Sequence, residues 1–199
     1  MTSAAKNLQY NGEVWILRHG ETDWAREGRH TGRHDLPLNA TGLTQADALA
    51  STVAAVPFDR VLCSPLQRAQ QTCKRAGLLD RAEITPDAME WDYGAYEGRT
   101  TPEIRVDRPG WTIWNDGVLD GESLDSVATR ALRILALVTP NLAAGERVAV
   151  FAHGHFLRVL AAVWLEQPPM FAARLLLAPA RTGILGFEHE TRVITRWNA

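Results

Sequence analysis

An α/β fold with a mostly parallel sheet and helices on both faces is predicted by two observations. Short apolar runs alternate along the chain with amphipathic helical stretches. Two of those runs, Val14-Trp15-Ile16-Leu17 and Val148-Ala149-Val150-Phe151-Ala152, also lead into a His-Gly pair, as parallel strands opening on one sheet edge would. A length of 199 residues suits one domain, 1–199, with a core of its own.

The elements follow in order. Val14–Leu17 is a strand that ends at Arg18. Near-helical apolar spacing from Thr41 to Val56 predicts a helix, with Thr41-Gly42 in the capping position. Arg60–Cys63 is a second strand, stopped by Ser64-Pro65, and Pro65 suits the first turn of a helix running to about Ala76, before Gly77. Residues 88–122, rich in Gly and Trp and without a clean period, read as an irregular, lid-like excursion with short helices at most. A helix from Ser123 to Val138, a strand over 147–152 and a helix from Phe156 to Leu165 restore regularity. Strands near 182–188 and 192–197, joined through His189-Glu190-Thr191, predict a terminal hairpin that makes the sheet mixed.

Composition narrows the function. Hydrophobic residues make up 46% and charged residues 22%, which excludes wholesale disorder. The net charge of −2 argues against a nucleic-acid partner held by bulk electrostatics. The longest apolar run, Val159 to Leu165, is far shorter than a membrane span, and MTSAAKNLQYNGE carries no apolar signal region. Two cysteines, Cys63 and Cys73, without a zinc-like spacing, predict reduced thiols in a cytoplasmic protein. Of the 21 basic residues only Lys6 and Lys74 are lysines, a bias that follows from a GC-rich genome or from bidentate anion recognition.

The chemistry gathers where strands end. The first run leads into Arg18-His19-Gly20-Glu21-Thr22 and the later one into His153-Gly154-His155, so His19 and His153 are expected to face each other across one pocket. The glycine after each allows a sharp turn and brings N–H groups toward an anion. Arg68, in Ser64-Pro65-Leu66-Gln67-Arg68-Ala69-Gln70-Gln71-Thr72, lies in the first turn of a helix at the same edge. With Arg18 it completes a cationic cluster suited to a phosphate dianion. Glu90, among aromatics in EWDYGAYEG (90–98), is expected to be partly desolvated, which favours a protonated carboxyl able to act as a general acid.

Together, RHGET (18–22), SPLQRAQQT (64–72), EWDYGAYEG (90–98) and AHGHFLR (152–158) resemble the histidine phosphatase superfamily, also called phosphoglycerate-mutase-like, over nearly the whole chain. The resemblance implies a three-layer α/β/α sandwich. It implies that His19 attacks the phosphoryl group and becomes a phosphohistidine. Arg18, Arg68 and His153 would clamp the phosphoryl oxygens, with a further donor from the Gly154 N–H. Glu90 would protonate the leaving alkoxide and then activate water. Residues 29–36 match the family's substrate-side loop and make Thr31 and Gly32 substrate contacts. No metal and no cofactor are implied. The stretch EWDYGAYEGRTTPEI is most similar to a bacterial broad-specificity acid phosphatase branch and to fungal sedoheptulose-bisphosphatases, so the expected substrate is a small phosphorylated metabolite, a sugar phosphate or bisphosphate.

Three other readings compete. A metal-dependent hydrolase could use the HxH of His153 and His155, but clustered arginines repel a divalent cation. A binding module without activity would be expected to lack a clamp residue or the nucleophile. A cofactor-dependent phosphoglycerate mutase shares the catalytic residues. Against it stand Ala25, where the mutases carry Asn, and residues 98–122, whose three arginines (Arg99, Arg105, Arg108) face five acids (Glu103, Asp107, Asp116, Asp120, Glu122). His30, His34 and His155 are expected to be structural or solvated.

Overall fold

Strand β1 (Glu13–Arg18) runs through the middle of a six-stranded sheet of order β3-β2-β4-β1-β5-β6. The computed structural model describes residues 11–142 and 145–199, so the opening stretch read for a signal lies, up to Tyr10, outside the described residues. β2 (Arg60–Cys63), β3 (Ala82–Ile84) and β4 (Arg147–Ala152) join β1 in parallel pairs. β5 (Thr182–Glu188) is antiparallel to β1 and closes with β6 (Thr191–Arg196) in the expected hairpin. The sheet is mixed and mostly parallel, as the alternating pattern predicts.

The period-2 geometry of the strands builds three layers. Val14, Ile16, Leu62, Val148 and Val150 face a core shared with α6 (Leu124–Leu142) and α7 (Gly154–Trp164). Trp15, Leu17, Val61, Cys63, Ala149 and Phe151 face the opposite core, shared with α2 (Ala40–Val53) and α3 (Gln67–Arg75). Burial on both faces is why these strands read as unbroken apolar runs rather than alternating ones.

Several boundaries differ from expectation. Asn39, not Thr41-Gly42, caps α2, its side chain accepting from the Gly42 N–H at 2.8 Å. α3 begins after Leu66, which leaves Pro65 outside its first turn. α6 runs past Val138 and through Pro140, because fully buried Leu142 and a hydrogen bond from the Gly12 N–H to its carbonyl anchor the last turn. α7 opens at Gly154, two residues before the predicted start. One turn of helix, α1 (Asp23–Arg26), and the three-residue edge strand β3 are too short for a periodic signal. The excursion holds two short helices, α4 (Thr101–Asp107), with a Thr100/Glu103 capping box, and α5 (Ile113–Asp116). Among the described residues no helix is long and apolar enough to cross a membrane.

Candidate active site

β1 and β4 are neighbours in register, Arg18 opposite Ala152, so the chain leaves both strands at one level. α2, the main helix after β1, and α7, which follows β4, lie on opposite faces, which opens a crevice at the carboxyl ends of the two strands. The His19 and His153 rings meet there with centroids 5.1 Å apart. His19 Nδ1 lies 2.7 Å from the Gly20 carbonyl, which can only accept. The ring proton therefore sits on Nδ1, and Nε2 keeps a lone pair. Burial first, then the positive charges of Arg68 and Arg18, hold His19 well below the ordinary imidazole range, against the opposing pull of the Gly20 hydrogen bond. His19 is neutral at pH 7.

His153 is likewise held neutral. It is fully buried, and burial, Arg68, His19, Arg18 and Arg130 push it well below the ordinary range. Its Nδ1 accepts from Arg68 Nε at 3.2 Å, so Nε2–H donates to Ser64 Oγ at 2.8 Å. Arg68 is equally buried and committed. Its terminal nitrogens donate to the carbonyls of His34 (2.8 Å), Thr31 (3.1 Å) and Gly32 (2.8 Å). Glu97 grips the same loop from its N–H side, accepting from Gly32 at 2.8 Å, Arg33 at 3.0 Å and His34 at 3.4 Å. Arg68 and Glu97 thus fix residues 31–34 between a donor fork and an acceptor pair.

Arg18 is placed differently. Nη1 donates to the Leu177 carbonyl at 2.5 Å, while Nε is the buried side-chain polar atom left without a partner among the described residues. A Cβ at position 154 would stand 3.0 Å from the Arg18 guanidinium carbon, so Gly154 is the residue that lets α7 begin beside it. Gly20 also serves close approach, since a Cβ there would lie 2.4 Å from the Gly42 carbonyl oxygen. Its N–H donates to Thr72 Oγ1 at 3.1 Å, so it is not turned toward an anion as expected.

Glu90 is buried, but not isolated among aromatics. Oε1 accepts from the Trp91 and Phe156 N–H groups at 2.9 and 2.8 Å, and Oε2 from the His155 N–H at 3.0 Å. It occupies the N-terminal end of α7, where the first backbone N–H groups of a helix have no partner within it. Arg130, which sequence reasoning missed, holds the segment in place. It bonds the Asp87, Met89 and Glu90 carbonyls and makes a buried pair with Glu122 at 2.7 Å.

A cavity of about 200 Å³ opens on this edge, with Arg18, His19, Thr31, Glu90 and Gly154 in its wall. Arg68, His153 and Gly32 lie behind that wall, next to the lining residues rather than among them. Ala25 lines the cavity as well. Three further lining residues, Tyr93, His155 and Arg158, are not singled out by sequence reasoning as site residues. His155 and Arg158 lie on one face of α7 by their three-residue spacing, a signal that needs only the start of that helix. His30 also lines the cavity and is held near pKa 4 by burial, whereas His34 stacks on Trp24 with centroids 4.8 Å apart. The two histidines of the HxH diverge, one toward Ser64 and the other toward Tyr93.

Comparison with known proteins agrees with this geometry. The family model of the histidine phosphatase superfamily (branch 1) matches residues 14–199. An acid phosphatase of Mycobacterium tuberculosis is 40% identical over 184 residues, 92% of this chain and 90% of the relative. The sedoheptulose 1,7-bisphosphatase of Saccharomyces cerevisiae is 34% identical, over 75% of this chain and 66% of its own length. Among solved structures, an open-reading-frame product of Mycobacterium tuberculosis superposes with a TM-score of 0.89 at 38% identity, covering 94% of this chain and 97% of that one. A mycobacterial glucosyl-3-phosphoglycerate phosphatase superposes with a TM-score of 0.80 at 27% identity, covering 94% and 98%.

Proposed function

This chain belongs to the histidine phosphatase superfamily (branch 1), and from that membership we propose that it hydrolyses small phosphorylated metabolites of the sugar-phosphate type with His19 as nucleophile. The observation that carries the reading is the His19 ring. It is buried and neutral, its proton is engaged by the Gly20 carbonyl, and its Nε2 lone pair is left at a cavity wall. An imidazole in that state needs no base to become a nucleophile.

Nε2 attacks phosphorus; the N–P bond forms as the P–O bond to the leaving group breaks. The Arg18 guanidinium, in the cavity wall, supplies a donor to a phosphoryl oxygen, and the buried positive charge of Arg68 stabilises the same group from behind. Glu90 carries the proton to the leaving oxygen. In the second step it takes a proton from water as water attacks phosphorus, and the N–P bond breaks to give orthophosphate and free His19. Thr31 and the Gly154 N–H complete the substrate contacts from the wall, and Gly32 acts by holding the loop. Residues 88–122 form the lid of a single domain.

Hydrolysis is favoured over mutase activity by the state of the lid arginines. Arg99 pairs with Asp107 at 2.6 Å, Arg105 Nε donates to the Trp111 carbonyl at 2.8 Å, and Arg108 donates to the Tyr96 hydroxyl at 2.9 Å. None of the three lines the cavity, so the lid offers little to a ligand carrying a carboxylate and two phosphates. The test is phosphate release over a panel of sugar phosphates, bisphosphates, glycolytic acids and nucleotides, with 3-phosphoglycerate assayed both with and without 2,3-bisphosphoglycerate. Phosphate release on sugar phosphates is expected. Fast primed formation of 2-phosphoglycerate, with little release on any substrate, would overturn the reading.

A further inference from the structure

Beyond the phosphoryl group, the cavity wall holds a side-chain pair with no part in the mechanism above. The Tyr93 hydroxyl and His155 Nδ1 are 2.5 Å apart, and both residues line the cavity. Aromatic neighbours hold them rigidly. Trp114 and Trp91 meet the His155 ring edge to face with centroids at 5.1 and 6.3 Å, and His30 lies against Tyr93 at 4.9 Å.

The chemistry of this pair does not depend on where its shared proton sits. If Tyr93 donates to Nδ1, the Tyr93 oxygen is left as an acceptor and His155 Nε2–H as a donor. If Nδ1–H donates instead, Nε2 is the acceptor and the Tyr93 O–H the donor. Either way the pair offers one donor and one acceptor. Burial keeps the pair uncharged: His155 is pushed well below the ordinary imidazole range and Tyr93 well above the ordinary phenol range. A hydroxyl group, which both donates and accepts, satisfies both ends. A carboxylate only accepts, and sets its charge against the acceptor end.

Of the cationic groups in the same wall, Arg18 is assigned to the phosphoryl group, and Arg158 and Arg29 have other partners. Arg158 Nε donates to the Ala172 carbonyl at 3.0 Å, and its guanidinium lies 4.6 Å from the centroid of the Trp114 ring. Arg29 faces Glu27 at 2.8 Å and the Gly98 carbonyl at 2.7 Å.

We propose that Tyr93 and His155 act together as the specificity element of this site, reading a hydroxyl on the substrate and so selecting polyhydroxy phosphates over phosphates that bear a carboxylate at the corresponding position. This deepens the phosphatase reading above and rests on it.

Its test compares kcat/KM for glycerol phosphate with that for 3-phosphoglycerate in wild type, Tyr93→Phe, His155→Phe and the double variant, with p-nitrophenyl phosphate as a reference substrate that carries neither group. Wild type is expected to prefer glycerol phosphate. Each single variant should lower the glycerol phosphate to p-nitrophenyl phosphate ratio about tenfold, mainly through KM, and the double variant should lose little more than either single one. A wild-type preference for 3-phosphoglycerate, or ratios unmoved in Tyr93→Phe, would overturn the proposal, and Tyr93→Phe serves if His155→Phe fails to fold. Failure of the phosphatase reading itself shows separately, as absence of acid-labile phosphate on wild type turning over p-nitrophenyl phosphate.

Discussion

The two ends of the cavity are built by different means. The end proposed to hold the phosphoryl group is made of residues that end parallel strands or begin the helices after them: Arg18 at the end of β1 and His19 after it, Arg68 in α3, His153 after β4. Backbone register fixes their positions, and buried hydrogen bonds fix their tautomers. The other end is made of residues 29–34, the excursion over 88–122 and one face of α7, and its order comes from side chains gripping loops. Arg68 and Glu97 hold the loop at 31–34, and Arg130 and Glu122 hold the segment that carries Glu90. On the proposed reading, strand ends set a common chemistry, while loop clamps set what the chemistry acts on. Damage at the first end should therefore appear in kcat on every substrate, and damage at the second should depend on the substrate.

Glu90→Gln tests the junction of the two ends and should have a larger effect than any change to a loop clamp. Loss of general acid catalysis should cost about 10²- to 10⁴-fold on a sugar phosphate and far less on an aryl phosphate with a good leaving group. Steady-state rates on both measure it, and equal losses would remove Glu90 from the proton transfer. Arg68→Lys comes next. One ammonium cannot serve three carbonyls and His153 together, and two or more charge-assisted hydrogen bonds should be lost, lowering kcat/KM by about 10²-fold and weakening vanadate inhibition. Unchanged rate and unchanged inhibition would contradict both the cradle and the charge behind the phosphoryl group.

Glu97→Ala separates the ends more sharply, because the side-chain hydrogen bonds of Glu97 go to the loop, its charge alone reaching Arg68 and Tyr93. KM should rise about tenfold, on the order of the two stronger hydrogen bonds lost, with kcat on aryl phosphate much less affected. Hydrogen exchange at Gly32 and Arg33 should quicken, and slow exchange there would show that the loop stands without it.

The remaining prediction concerns stability against pH rather than a rate. His19, His153 and His155 are held neutral well below the ordinary imidazole value, and His30 down to about 4. The unfolded chain takes up these protons near pH 6.5, before the folded one does. Stability is therefore full above that value and is lost progressively as pH falls from about 6.5 toward 4, at up to about 1.4 kcal/mol per group and pH unit. Urea midpoints measured between pH 7 and pH 5 should fall, and His30→Phe should flatten the slope. A flat profile in wild type would contradict the buried neutral imidazoles.

The same division explains what is legible in the sequence. The strands, the layers and the gathering of His19, Arg18, Arg68, His153 and Glu90 on one edge are local patterns repeated at strand ends, and pattern carries them. What Arg68 and His153 bond to is a tertiary fact. It depends on the path of residues 31–34 and on Ser64 lying beside β4, which no spacing states. The Glu90 environment differs from expectation because its donors come from the start of α7, 65 and 66 residues away, and apolar periodicity places that start later than it is. The place of His155 and Arg158 in the cavity wall stays hidden for a related reason, since side-chain direction follows from where a helix starts.

Everything at the phosphoryl end turns on one bond, between His19 Nε2 and phosphorus. Wild type should be quenched during turnover of a labelled phosphomonoester and its bound phosphate tested for stability, with the site located by peptide mapping. The expected result is label on His19 that is lost in acid and kept in alkali, with no label and nearly no activity in His19→Ala. Label on another residue, or normal steady-state turnover by His19→Ala, would contradict it.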